Sequence, residues 1–230
     1  MTKILKIGHR GAKGYAPENT LLAFQKAIDM GVDGIELDVH ISLDGAIMVI
    51  HDPTIDDTTN GKGAVNKLSL QEIQSFVINE THDGRIPTLE EVFDLVNQRF
   101  FINIELKNYE TTESVVALIE KYVSEKKWEY TDFIVSSFDW NALQQVCFLN
   151  DEIPIGVLTA TNLDLAIAFA KFIKAKSIHP YFHLLTKENI LLMQKKGFEI
   201  YTWTVNEIED IHKIKLLNPN GIITDFPDRI

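Results

Sequence analysis

Short apolar runs alternate with longer amphipathic stretches along almost the whole chain. The apolar runs have the length of buried strands and cover residues 3–8, 34–41, 100–106, 133–136, 155–158, 177–179, 199–204 and 221–224. The stretches between them repeat apolar residues at helical spacing and cover residues 17–30, 89–98, 113–124, 141–149, 163–171, 187–196 and 207–216. The pattern therefore predicts about eight strands in alternation with a similar number of helices.

This alternation favours a parallel sheet that is covered by helices. About eight such units in a chain of 230 residues match the size of a (β/α)8 barrel. An open doubly wound sheet needs fewer strands. It would also be expected to carry a glycine-rich phosphate loop after its first strand, but residues 8–14 (GHRGAKG) have the spacing of neither nucleotide fingerprint. We therefore predict an α/β fold, a single (β/α)8 TIM barrel spanning residues 1–230.

One segment, residues 52–87, interrupts the alternation. It is too long for an ordinary loop between a strand and a helix. It is rich in Asp, Thr, Asn and Gly, and it contains a short helical stretch at residues 69–76. We predict a small insertion after the second strand that lies over the mouth of the barrel; a plain surface excursion is the alternative.

The composition is that of a globular domain, with 45% hydrophobic and 24% charged residues. The net charge of −11 argues against binding to nucleic acid or to an anionic membrane surface. An anionic substrate would therefore need locally concentrated positive charge. The single cysteine, Cys147, cannot form an intramolecular disulfide, and no signal sequence or membrane span is apparent. These features predict a cytoplasmic protein without stable membrane association.

Charged residues occur inside two of the apolar runs. Glu36 and Asp38 are two positions apart, as are Glu105 and Lys107, and residues two apart in a strand share a face. In a barrel wrapped by helices, these charges are expected to point inward near the carboxyl ends of the strands. Because buried carboxylates need compensation, the oxygen set of Glu36, Asp38 and Glu105 suits one divalent metal ion, Mg²⁺ or Ca²⁺. An internal salt-bridge network that includes Arg10 is the alternative.

Two histidines are expected on the same rim of the barrel. His9 follows the first strand, and His51 ends the apolar run at residues 47–50. Such a pair can divide the roles of general acid and base near neutral pH, so we predict that both are catalytic. The remaining histidines are not paired with carboxylates in this way and are predicted to be structural: His40, His82, His179, His183 and His212. His179 also ends a predicted strand and could line the mouth of the barrel.

Five further residues are candidates for substrate binding. Arg10 and Lys107 supply positive charge beside the carboxylates, and with a divalent ion they would bind one phosphoryl group. Trp203 and Phe138 could wall the pocket or could belong to the core. Asn19, at the start of the first predicted helix, could cap that helix or contact the substrate.

Six segments together resemble the glycerophosphodiester phosphodiesterase family, in the family's order and nearly from end to end of the chain. They are residues 9–20 (HRGAKGYAPENT), 34–39 (GIELDV), 51–53 (HDP), 86–91 (IPTLEE), 105–107 (ELK) and 223–228 (ITDFPD). The resemblance implies a (β/α)8 barrel with a small insertion after the second strand. It also implies a small-molecule substrate, a glycerophosphodiester, that is hydrolysed to glycerol 3-phosphate and an alcohol.

The resemblance also implies roles for individual residues. The histidine pair would act as general acid and base, the three acids named above would be metal ligands, and Arg10 and Lys107 would contact the phosphate. The nucleophile would be the neighbouring glycerol hydroxyl, which gives a cyclic phosphate, or a water molecule that attacks directly.

Three other functions are alternatives. A lyase of the phosphatidylinositol-specific phospholipase C or sphingomyelinase D type would share the barrel and the paired histidines, but the sequence shows no apolar or basic rim for a lipid surface. A catalytically silent metal or phosphate-ester binding module is disfavoured because both histidines and all three acids are present. A metal-dependent sugar isomerase gives Arg10 and Lys107 no obvious task. The preferred alcohol, the choice between Mg²⁺ and Ca²⁺ and a homodimer formed through the outer helices stay open.

Overall fold

The computed structural model describes residues 3–79 and 81–230 and contains a closed barrel of parallel strands. The strands are β1 (Leu5–His9), β2 (Gly34–Ile41), β3 (Ile47–Val49), β4 (Phe101–Leu106), β5 (Phe133–Ser137), β6 (Ile155–Thr159), β7 (Ser177–Pro180), β8 (Glu199–Thr202) and β9 (Gly221–Thr224). Among these strands only β3 runs antiparallel to the strand that it pairs with, β2. The other eight pair in chain order, and β9 closes the barrel against β1. The predicted TIM barrel with an insertion after its second strand is confirmed.

Seven of the helices described in this part of the chain cover the outside of the barrel, and α2 belongs to the insertion. The helices are α1 (Leu21–Asp29), α2 (Leu70–Ser75), α3 (Leu89–Val96), α4 (Thr112–Lys126), α5 (Trp140–Leu149), α6 (Leu163–Phe172), α7 (Lys187–Lys195) and α8 (Ile208–Leu217). Outward residues of the strands, such as Ile35 and Ile104, share one apolar cluster with helix residues such as Phe24 and Phe93. Burial of this apolar surface holds the helices on the barrel.

The first helix begins at Leu21 rather than at residue 17 as predicted. Thr20 is the N-cap, and its side chain accepts a hydrogen bond from Ala23 N. Asn19 has a φ of 56° and so lies in the left-handed region, outside the helix. Residues 17–19 therefore belong to the loop at the mouth of the barrel.

The interior of the barrel combines large side chains with glycines. A Cβ atom on Gly34 would lie 2.6 Å from the ring of Phe101, and one on Gly156 would lie 2.4 Å from the ring of His179. Glycine at these positions makes room for the rings. An apolar cluster fills another part of the interior and contains Ile7, Ile134, Tyr201 and Ile223. The barrel is therefore a packed core that supports the residues at its carboxyl end.

The insertion starts earlier than residue 52, where the sequence predicted it. The chain turns back after β2 into β3, with Val49 opposite Val39. The N–H of Ile50 then donates to the carbonyl oxygen of Asp38 at 3.0 Å, so the hairpin returns the chain to the level of Asp38 just before His51. The insertion has an apolar cluster of its own, formed by Met48, Ile50, Ile55, Val65, Ile73, Ile78 and Ile86.

Two further sequence predictions concern the chain as a whole. A single domain over residues 1–230 stays a prediction, since Met1, Thr2 and Glu80 lie outside the described residues. Among the helices of the described part, none is both long enough and apolar enough to cross a membrane.

Candidate active site

A cavity of about 140 Å³ lies at the carboxyl ends of the barrel strands. Barrels of this type carry their functional residues at this end. The cavity is lined by His9, Arg10, Glu36, His51, Asn103, Glu105, Lys107, Phe138, Leu158, Trp203, Thr204 and Ile223. All residues that the sequence predicted for the site are among them except Asp38 and Asn19, which are buried and hydrogen-bonded to each other.

Three carboxylates meet because of the strand period and the strand register. Glu36 and Asp38 lie two apart on β2, and Asp38 is the cross-strand partner of Glu105 on β4. One oxygen atom from each of the three side chains lies within 4.8 Å of the other two. All three residues are buried, with at most 9% of their surface exposed. Their geometry and their hard oxygen donors fit a divalent cation.

Two cations lie beside the carboxylates and compensate them unevenly. Lys107 Nζ is 2.7 Å from Glu105 Oε1 and 3.3 Å from Asp38 Oδ1. Arg10 Nε is 3.1 Å from Asp38 Oδ2, an ion pair without hydrogen-bond geometry, and the Arg10 backbone N–H donates to Glu36 Oε2 at 3.0 Å. The side chains of both cations therefore lie close to Asp38, whereas the negative charge of Glu36 has no cationic side chain beside it in the described part of the chain and receives only the backbone N–H of Arg10.

The pKa values of the three acids reflect this arrangement. Burial and the charges of Asp38 and Glu105 raise the pKa of Glu36 well above its usual value. Burial and the charge of Asp38 raise the pKa of Glu105 to about 7. Burial also acts on Asp38, but Arg10 and Lys107 outweigh it and lower the pKa of that carboxyl. The cluster is short of positive charge, which a divalent cation would supply.

His9 is oriented by an aspartate from the far end of the chain. Its Nδ1 lies 2.6 Å from Asp225 Oδ1, and because an ionised carboxylate only accepts, Nδ1 is the donor. Among the described residues none is hydrogen-bonded to Nε2, which lies 4.0 Å from Glu36 Oε2. Burial lowers the pKa of His9, although Asp225 opposes the effect. Asp225 is itself fixed by Asn206, whose Nδ2 donates to it at 2.7 Å.

His51 has its own aspartate and is held through its backbone as well. Its Nδ1 lies 2.8 Å from the carboxylate of Asp52. The His51 carbonyl oxygen lies 3.1 Å from His40 Nε2, and Asn108 donates its amide to His40 Nδ1 at 3.1 Å. His40 can therefore be a neutral imidazole that donates through Nε2. This is consistent with burial, which lowers its pKa.

A strained turn after β1 brings Arg10 and His9 into the site. Arg10 has a φ of 51° and Gly11 a φ of 83°, both in the left-handed region. A Cβ atom on Gly11 would lie 2.6 Å from the backbone of Ala23, so only glycine lets α1 approach this closely. The turn directs the Arg10 N–H toward Glu36.

The aromatic residues predicted for the pocket form one wall of the cavity. The rings of Phe138 and Trp203 meet edge to face, with centroids 5.5 Å apart. Trp203 Nε1 donates to the carbonyl oxygen of His179 at 2.8 Å, which fixes the indole. Phe138 is 46% exposed. The wall is apolar and lies in the same cavity as the charged residues.

Asn19 does not line the cavity. It is 3% exposed, and its Nδ2 donates to Asp38 Oδ2 at 3.0 Å. It is not the helix cap either, because Thr20 occupies that position. A contact between Asn19 and substrate stays a prediction.

The sequence-based selection missed several polar residues of the site. They are Glu18, which pairs with Arg10, and the histidine partners and their supports Asp52, Asp225, Asn206 and Asn108. It also missed Asn103, which is 1% exposed and lines the cavity. Asn103 carries a signal in the sequence, since it lies two residues before Glu105 on the same face of an apolar strand.

Comparison with known proteins identifies the group to which the chain is similar. A model of the glycerophosphoryl diester phosphodiesterase family matches residues 9–229. A glycerophosphodiester phosphodiesterase of Caldanaerobacter subterraneus subsp. tengcongensis is 36% identical over 99% of this chain and 96% of the relative. A protein of the same name from Bacillus altitudinis is 40% identical over 100% of this chain and 96% of its own length.

A solved structure shows the same architecture. A phosphodiesterase of Oleispira antarctica, in complex with the product sn-glycerol-3-phosphate, superposes with a TM-score of 0.88 at 25% identity. The superposition covers 97% of this chain and 94% of the other. The resemblance predicted from the six segments is confirmed, as is the prediction of an enzyme: the chain belongs to the glycerophosphoryl diester phosphodiesterase family.

Proposed function

We propose that this protein hydrolyses glycerophosphodiesters to glycerol 3-phosphate and an alcohol, with a divalent cation and a pair of histidines at one site. The observation that carries the proposal is the convergence of two carboxylates, two histidines and two cations at one cavity, with the third carboxylate, Asp38, buried directly beside them. The relatives named after this activity, and the one seen with sn-glycerol-3-phosphate, support the substrate class.

Glu36, Asp38 and Glu105 would hold the cation, as their buried oxygen donors suit Mg²⁺ or Ca²⁺. When bound, it would neutralise charge on the phosphoryl group. Arg10 and Lys107 would contact the phosphate oxygens from the same side, since both line the cavity. They supply the local positive charge that a protein with a net charge of −11 otherwise lacks.

The histidines would divide the two proton transfers between them. His9 has a lowered pKa and donates Nδ1–H to Asp225, so its Nε2 lone pair can accept the proton of the attacking hydroxyl. His51 is the more exposed of the two, with 35% of its side chain accessible against 15% for His9. With Nδ1 bonded to Asp52, His51 is proposed to protonate the leaving alcohol through Nε2.

The attacking hydroxyl is proposed to be the glycerol hydroxyl next to the phosphate. Its attack expels the alcohol and leaves a cyclic phosphate, which water then opens. Direct attack by water and opening of the cyclic phosphate both place one solvent oxygen in glycerol 3-phosphate, so the two routes are separated with a substrate analogue that lacks the neighbouring hydroxyl. Hydrolysis of this analogue at the rate of the normal substrate would contradict the cyclic route.

Product analysis tests the proposal. Wild-type protein is incubated with glycerophosphocholine and Mg²⁺ or Ca²⁺, and glycerol 3-phosphate, choline and cyclic phosphate are measured. We expect equal release of glycerol 3-phosphate and choline, and loss of both in His9→Ala and Glu36→Ala. Asp228→Asn, three residues after Asp225 but bonded to Tyr15, is a control that should keep its activity.

Other products would point to the alternatives. A cyclic phosphate that accumulates as the end product would indicate a lyase. If a folded protein that binds metal releases no product from glycerophosphocholine, glycerophosphoethanolamine or bis(glycerol) phosphate, a silent binding module would be indicated. Pairing of two barrels and a cytoplasmic location stay predictions.

A further inference from the structure

One oxygen atom in the cavity wall has no partner. Asn103 lies on β4, its side chain is 1% exposed, and its Oδ1 has no hydrogen-bond partner among residues 3–79 and 81–230. Buried polar atoms are almost always paired with protein, water or an ion. The oxygen therefore indicates a ligand that the protein chain does not supply.

The register places Asn103 beside two residues that carry the carboxylates. Asn103 is the cross-strand partner of Glu36, and it shares its face of β4 with Glu105 two residues later. All three residues line the same cavity. Ser136 Oγ on β5 is also buried and unpaired, and Ser136 is the cross-strand partner of Glu105, but unlike Asn103 it does not line the cavity.

The chemistry of an amide oxygen suits this position. It is a hard donor of the kind that divalent cations such as Ca²⁺ accept beside carboxylates. Unlike a fourth acid, it adds no negative charge to a cluster in which three carboxylates already face only two cations. The neighbouring residues of β4, Phe101, Ile102 and Ile104, are apolar, so leucine or valine would be the usual residue at position 103 of such a strand.

We infer that Asn103 Oδ1 is a fourth oxygen donor toward the divalent cation, beside Glu36, Asp38 and Glu105. The inference rests on the cation site of the proposed function. It gives Asn103 a role in metal affinity that is separate from folding, because no described residue depends on its Oδ1 for a hydrogen bond.

Metal binding without substrate tests the inference. Wild type, Asn103→Leu and Asn103→Ala are stripped with a chelator, and Mg²⁺ and Ca²⁺ are titrated by calorimetry. Leucine keeps the branching and the number of side-chain heavy atoms of asparagine and removes the oxygen. The smaller alanine variant provides the comparison if the leucine variant does not fold. We expect Kd to rise about tenfold or more. We expect the metal-free melting temperature to stay the same or increase, because the lost oxygen was unpaired.

Ser177→Ala is the control, because it removes a buried oxygen of the barrel interior on β7, a strand whose neighbours are β6 and β8, and Ser177 does not line the cavity. It should leave Kd unchanged. Equal Kd values for wild type and both Asn103 variants would overturn the inference alone, as would an equal loss of affinity in Ser177→Ala. If wild type bound neither ion, the inference and the metal dependence of the proposed function would both be overturned.

Discussion

Each of the two site histidines has an aspartate at Nδ1, but the two aspartates come from very different places in the chain. Asp52 follows His51 directly, whereas Asp225 lies 216 residues after His9. Asp225 reaches His9 because β9, which ends at Thr224, pairs with β1, which ends at His9. Closure of the barrel therefore sets the tautomer of His9.

Replacing Asp225 by Asn tests this orientation. An amide can donate to Nδ1, which would move the imidazole proton to Nε2 and remove the lone pair that accepts the substrate proton. Glycerophosphocholine hydrolysis should lose about 100-fold or more in kcat with little change in KM, by analogy with the aspartate of a serine protease triad. Steady-state kinetics measure both constants. A rate within about threefold of wild type would contradict the proposed role of Asp225.

At the level of single residues, the sequence predicted which charged side chains lie inside the barrel. The strand period alone puts Glu36, Asp38 and Glu105 inside, and position at a strand end marks His9. It could not predict Asp225 as the partner of His9, because the contact exists only once the last strand meets the first.

Individual elements place these residues at their working positions. The β2–β3 hairpin returns His51 to the level of Asp38, and a left-handed turn at Arg10 and Gly11 ends β1. The sequence predicted the barrel strands well because each is a short apolar run between amphipathic helices. It did not assign β3, because that strand depends on pairing with β2 and on the apolar cluster of the insertion. It also started α1 too early, at residue 17, where turn geometry and the Thr20 cap override helical spacing.

Gly11→Ala should destabilise the turn for two separate reasons. The left-handed φ of 83° disfavours alanine by about 1–2 kcal/mol, and the overlap of a Cβ with the backbone of Ala23 adds about 1–3 kcal/mol. Gly45→Ala isolates the first reason, since Gly45 has a φ of 88° and nothing within 4 Å of its Cβ position. Thermal unfolding should show the larger loss for Gly11→Ala. Equal losses would contradict the close packing of α1 on this turn.

The molecule as a whole has a strongly negative net charge and buries several polar residues inside its barrel. Its net charge of −11 makes the positive charge of Arg10 and Lys107 a local property of the site. Deeper in the barrel, His179 is fully buried beside Ser177, and burial lowers its pKa to about 3. A group of this kind links the stability of the whole fold to pH.

His179 should weaken the fold in mild acid. Its pKa rises from about 3 in the folded state to about 6.5 on unfolding, so between these values the unfolded chain binds the extra proton and stability falls as pH decreases. The contribution at pH 5 is roughly 2 kcal/mol of lost stability relative to pH 7.5. His179→Gln should therefore show a smaller drop in melting temperature between these pH values than wild type. His212→Gln, at an exposed position, is the control; identical drops in wild type and His179→Gln would contradict the account.

The central claim is that glycerophosphodiester hydrolysis depends on a cation held by the three buried carboxylates. The most direct test is the rate of glycerol 3-phosphate release from glycerophosphocholine by chelator-stripped protein as Mg²⁺ or Ca²⁺ is added back, with Glu36→Gln beside wild type. The account predicts almost no release from stripped wild type, a saturable return of activity with metal, and no return in Glu36→Gln. An undiminished rate in stripped wild type, or full activity in Glu36→Gln, would contradict it.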